Sequence, residues 1–104
     1  MPLLTDALRR LQSRRTFAQI QLLSRPGCHL CEDAERVLKR RFGASNVQVV
    51  NILDDRELED LYVFRIPVVL YAGDVVAEGL IGEAEARNAY REIRLRQRNG
   101  HARL

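Results

Sequence analysis

The chain has two thiols, Cys28 and Cys31, three residues apart in the stretch SRPGCHLC at residues 24–31. Two thiols one helical turn apart can meet, so the pair can pass between dithiol and disulfide. One cysteine attacks a disulfide sulfur, and the second resolves the mixed intermediate. Cys28 falls just behind Pro26-Gly27, where an apolar run gives way to a charged helix. Free backbone N–H groups and the positive end of the helix dipole favour an anion there, and a thiolate is one. Cysteines so placed titrate below the free value of about 8.5. Arg25 adds positive charge, whereas Glu32, Asp33 and Glu35 oppose it. A lowered pKa is expected at Cys28. His29 could add charge as the imidazolium, although it is mostly neutral at neutral pH.

Two blander readings stand beside the redox one. Half a zinc site would need further ligands, and only His29 and His101 are at hand as histidines. Two inert cysteines buried at a strand-to-helix junction are the other. Redox use is favoured because C-x-x-C beside a βαβ pattern is a redox signature. A second feature is Arg65-Ile66-Pro67, which opens an apolar strand. An X-Pro bond is where a cis peptide is cheap. A cis turn would leave the Ile66 N–H and C=O unpaired and facing outward, ready to pair with an extended substrate as an added strand does. An ordinary trans proline at a strand start is the even alternative.

Positioning these residues requires a small folded frame. With 104 residues, 46% hydrophobic and 30% charged, the chain fits one soluble domain, 1–104, able to bury a core without staples. Two closely spaced cysteines are not a disulfide framework. No apolar run approaches a membrane span. Asp6, Arg9 and Arg10 interrupt any candidate signal core, so a cytoplasmic location is expected. The net charge is +3, with sixteen arginines and a single lysine. The arginines at 87, 91, 94, 96, 98 and 103 form a basic stripe without a recognition element, so nucleic acid is not the expected partner.

Leu4, Ala7, Leu8 and Leu11 predict an amphipathic helix over 5–15, within an N-terminal extension at 1–16. This stripe is expected to pack on a monomer, a dimer seam being the alternative. In the core, 17–98, strands are predicted at 17–24, 46–52, 67–71 and 75–79, and helices at 28–42, 54–62 and 83–98, before a basic tail at 99–104. Asp54 or Asp55 starts the middle helix. Ala34, Val37, Leu38, Phe42, Leu58, Leu61, Tyr62, Ala86, Ala89, Tyr90 and Ile93 are expected to face inward. Helices between the early strands imply parallel pairing, and the turn at Ala72-Gly73-Asp74 implies a hairpin. The result is an α/β fold, a four-stranded mixed sheet flanked by helices.

SRPGCHLC is similar to the glutaredoxin active-site pattern S-K-P-G-C-P-Y-C. Arg65-Ile66-Pro67 stands where glutaredoxins carry T-V-P with a cis proline, and Gly79-Leu80-Ile81-Gly82 resembles their glycine turn before the last helix. Over about 18–95 the chain therefore resembles a glutaredoxin-like protein of the thioredoxin superfamily, with an added N-terminal helix. The resemblance implies a thiol–disulfide oxidoreductase. Cys28 would be the exposed nucleophile and Cys31 the resolving thiol. Arg25, replacing lysine, would meet the thiolate or a glutathione carboxylate. Ile66 would pair its backbone with substrate beside a cis Pro67, and Gly82 would bring the last helix to the glutathione γ-glutamyl end. Gly27, His29, Leu30 and Arg65 complete the implied substrate-binding set.

The departures concern the co-substrate. His29-Leu30 replaces Pro-Tyr, Arg65 replaces threonine, and Glu83 stands for the second glycine, where its carboxylate would repel a glutathione carboxylate. Nor does the chain look like a typical thioredoxin. Gly27 stands for the tryptophan before the first cysteine, and Leu22 for the buried aspartate. No bound cofactor or metal is expected, and glutathione is left open as co-substrate. The partner is expected to be a disulfide-containing protein or a small thiol. The alternatives are a thioredoxin-fold interaction module with vestigial cysteines, and a metal or iron–sulfur carrier using Cys28.

Overall fold

A computed structural model of the chain describes residues 20–102, with side chains as far as Asn99. The helix expected at 5–15 lies outside the described residues. The elements run β1 (Ile20–Ser24), α1 (His29–Phe42), β2 (Val47–Asn51), α2 (Arg56–Tyr62), β3 (Val68–Tyr71), β4 (Asp74–Glu78) and α3 (Glu83–Ala102). They form one four-stranded sheet in the order β2-β1-β3-β4. β1 runs parallel to β2, and β3 and β4 form a hairpin. The antiparallel pairing of β1 with β3 corrects the expectation that helices between the early strands make them parallel: α2 is only seven residues long, too short for the crossover that a parallel return needs. This is the mixed α/β sheet of a thioredoxin-like fold.

β1 is central, and all five of its residues are buried. Its side chains alternate between two cores, as strand geometry requires. Ile20 and Leu22 join Ala34 and Leu38 of α1 and Ala86 and Ile93 of α3 on one face. Leu23 joins Leu58 and Tyr62 of α2, with Val68 and Leu70, on the other. Two helices thus cover one face and the short α2 the other. Gln21, which the hydrophobic pattern passes over, is also buried, and its Oε1 has no partner among the described residues.

Several boundaries differ from the sequence expectation, each for a local reason. Described β structure in the first strand begins at Ile20, because residues 17–19 lie outside the described part. The second strand stops at Asn51, whose side chain accepts the Leu53 N–H at 2.9 Å and turns the chain into a 3-10 turn at Ile52–Asp54. α2 starts at Arg56, not 54. Asp55 caps it by accepting the N–H groups of Glu57 and Leu58 at 3.0 and 3.2 Å. β4 begins at Asp74 because the turn is only two residues, Ala72-Gly73, both with positive φ (51° and 86°), the geometry that matches strand twist. α3 continues to Ala102, four residues beyond the expected 98, since nothing in RNGHA forces a stop. Tyr90 is a correction. It was expected inward but is 37% exposed, lying beside Phe42 with ring centroids 5.4 Å apart. No described helix is long and apolar enough to cross a membrane.

Candidate functional site

The topology gathers the conspicuous residues at one edge of the sheet. β1 and β2 end side by side there, with Ser24 paired to Asn51. β3 starts there, with Val68 paired to Leu23, and β4 ends there, with Glu78 paired to Val68. The segments 25–28, 52–55, 63–67 and 79–82 therefore all emerge at this edge.

In the first segment the chain turns at Gly27, whose φ of 81° a side chain would strain. An added Cβ would meet nothing within 4 Å, so the constraint is the backbone and not space. Cys28 follows as the N-cap of α1, in extended conformation, and its Sγ accepts the Cys31 N–H at 3.2 Å. A thiol here takes the place that serine or aspartate usually fills. The Cα atoms of Cys28 and Cys31 are 5.2 Å apart and their sulfurs are at disulfide-bonding distance. The two differ in access: Cys28 is half-buried, while Cys31 is 1% exposed. Arg25 is exposed and has no carboxylate partner among the described residues. His29 is exposed, with Nδ1 3.6 Å from Glu32 Oε1, and Leu30 is exposed beside it.

The 63–67 segment contributes a cis Ile66–Pro67 peptide. Pro67 is fully buried, and its carbonyl accepts the Gly79 N–H at 2.8 Å. The expectation of an unpaired Ile66 N–H is corrected. It donates to the Tyr62 carbonyl at 3.0 Å, because α2 ends directly beneath it. Arg65 lies over the Tyr62 ring at 4.9 Å and is held at two points by Glu78. That hydrogen bond pulls the Glu78 carboxyl below its ordinary value.

In the 79–82 segment Gly82 precedes α3, and its carbonyl accepts the Ala86 N–H. Its own N–H donates to Glu85 Oε1 at 2.9 Å, half of a capping box. The Gly82 N–H, with that of Glu85 itself, lowers the Glu85 carboxyl. Glu83 lies 3.3 Å from Arg40 and 4.0 Å from Arg41. The helix start expected to receive a ligand carboxylate is thus occupied by the chain's own.

The chain fits the Glutaredoxin-like domain (DUF836) over residues 19–97. It belongs to that family. None of the curated proteins compared with it matches. Within this glutaredoxin-like domain the structure brings Arg25, Gly27, Cys28, His29, Leu30 and Cys31 onto one turn, and Arg65, Ile66, Pro67 and Gly82 onto neighbouring segments of the same edge. Sequence reasoning missed Glu78, Glu85, Leu53 and Phe64. Glu85 had a legible signal, since an acid three residues after a helix-start glycine reads as a cap. Phe64 had none, because an aromatic in the apolar run LYVF reads as core. No group of three or more His, Cys, Asp or Glu that could hold a metal ion occurs among the described residues.

Proposed function

We propose that this glutaredoxin-like domain is a thiol–disulfide oxidoreductase acting through Cys28 and Cys31. The supporting observation is the unequal access of two sulfurs at bonding distance, one at a helix start and one in the core. In the reduced protein the Cys31 N–H and the α1 N-terminus favour a thiolate at Cys28. That thiolate attacks one sulfur of a substrate disulfide, whose S–S bond breaks and whose other sulfur leaves as a thiolate. A mixed disulfide on Cys28 results. Cys31, deprotonated, attacks the Cys28 sulfur, forms the Cys28–Cys31 bond and expels the second substrate thiolate. Two electrons pass from protein to substrate, and the two protons of the dithiol end on the released thiols. An external dithiol, or two monothiols, returns the protein to its reduced form.

The test is a redox equilibration. The protein is incubated across glutathione redox buffers, alkylated, and its species are read by mass. A reversible Cys28–Cys31 disulfide with a defined potential supports the reading, and a glutathione adduct on Cys28 adds glutathione as co-substrate. Thiols that stay reduced and alkylate only on denaturation sink it and leave an interaction module.

A further inference from the structure

Four of the eight large apolar residues exposed among the described residues lie at the Cys28 edge: Phe64 at 98%, Leu80 at 72%, Leu53 at 48% and Leu30 at 46%. Scattered exposed apolar residues need no explanation, but a cluster does. Leu53 and Phe64 also line an open groove with Asp54, Arg56, Glu59, Asp60 and Val63. The groove lies between the segment leaving β2 and the segment leading into β3. Both flank the end of β1, from which Cys28 emerges.

The groove's charge is the second observation. The chain carries a net +3, yet this groove holds three carboxylates against one guanidinium. None of those four residues has an ion-pair partner among the described residues. The nearby anion-binding positions are filled from within, Arg65 by Glu78 and the α3 start by Glu85. Apart from the exposed Arg25, an anionic ligand therefore meets filled sites and, at the groove, a net negative wall. A cationic one meets carboxylates with no ion-pair partner among the described residues, beside an exposed aromatic ring.

We infer that the groove selects the substrate: a protein disulfide flanked by an arginine- or lysine-bearing segment with a bulky apolar residue. The apolar residue covers Phe64 and Leu53, the cations face Asp54, Glu59 and Asp60, and the disulfide is delivered to Cys28. This rests on the redox reading above. The electron transfer is the one already written, the protein dithiol becoming the Cys28–Cys31 disulfide and the peptide disulfide becoming two thiols. A rim of opposite charge acts chiefly on association rate.

The test is single-turnover reduction by the pre-reduced full chain. Two cystine-bridged peptides are used, identical except that phenylalanine is flanked by arginines in one and glutamates in the other. A neutral small disulfide, bis(2-hydroxyethyl) disulfide, is run beside them. The arginine peptide is expected to react about tenfold faster than the glutamate peptide at low salt, with the ratio collapsing in about 1 M salt. The triple variant Asp54→Asn, Glu59→Gln, Asp60→Asn is expected to bring the ratio near one. Phe64→Ser, at a position too exposed to matter for folding, is expected to slow both peptides relative to the small disulfide. Equal rates, a preference for the glutamate peptide, or a preference surviving the triple variant overturns the groove assignment while the redox reading stands. Failure to reduce even the small disulfide sinks the redox reading, and the groove assignment with it.

Discussion

Arg65 and Glu78 are joined at two points across the sheet edge, Nε to Oε2 at 3.1 Å and Nη2 to Oε1 at 2.8 Å. The pair ties the segment before β3 to the last residue of β4. It also commits to a partner within the chain an arginine beside the cis Ile66–Pro67 peptide. Any ligand carboxylate reaching Arg65 must compete with Glu78. Both side chains are more than a third exposed, so the pair is worth only about 0.2–1 kcal/mol. Glu78→Gln is therefore expected to leave the thermal midpoint nearly unchanged. It should speed glutathione adduct formation on Cys28 by up to about fivefold, the factor equivalent to the upper end of that energy. The adduct's growth in oxidised glutathione, followed by mass, checks this. An unchanged rate removes Arg65 from the anion's path.

The unequal burial of the two sulfurs makes a separate prediction. Cys31→Ser should accumulate a stable mixed disulfide on Cys28 when given a disulfide substrate, because no second thiol resolves it. Cys28→Ser should form none, since its remaining thiol is 1% exposed. In the reduced native protein iodoacetamide should modify Cys28 first and Cys31 only after unfolding. Its rate against pH should inflect below about 8.5. Equal modification of the two would contradict the assigned roles.

Asp55 accepts two N–H groups at the start of α2, and Asp54, one residue earlier, accepts neither. The sequence left the two open as helix starters. Asp55→Ala is expected to cost about 1 kcal/mol, and Asp54→Ala to stay within about 0.5 kcal/mol. Urea midpoints of the two variants discriminate. α2 holds Leu58 and Tyr62 against β1 and β3, so loss of its cap also loosens the face beneath the acidic groove.

What was legible followed from patterns that report on backbone and burial. The run through Leu22 and Leu23, the helical spacing of Ala34 and Leu38, and the turn at Gly73 each constrain local geometry, and they give the parallel β1–β2 pair and the β3–β4 hairpin but not the antiparallel β1–β3 pair. Cys28 and Cys31 were legible because their spacing is itself chemistry. Residues defined by a partner far along the chain were not legible. Nothing local in Arg65 announces Glu78, thirteen positions on, and nothing in Ile66 says that the Tyr62 carbonyl will claim its N–H. Tyr90 and Phe64 show the limit of apolar periodicity. It ranks faces by residue type and cannot tell a covered face from one left bare at a helix edge or a loop.

Glu85 gives the pH prediction. The Gly82 N–H holds its carboxyl below the ordinary 4.5 in the folded chain. A carboxyl depressed by folding contributes stability above its unfolded value, and that contribution fades as pH falls through the lower folded value. Glu78 adds to the same trend through Arg65. Glu85→Gln keeps an oxygen to accept the Gly82 N–H and removes only the charge. The stability gap between wild type and Glu85→Gln is therefore expected to be constant from about pH 7 down to about pH 5 and to shrink below about pH 4. Urea midpoints of both proteins across that range check it. A gap that persists undiminished in acid would assign the effect to shape and not to the carboxylate, and would reopen the α3 start as a site for an external anion.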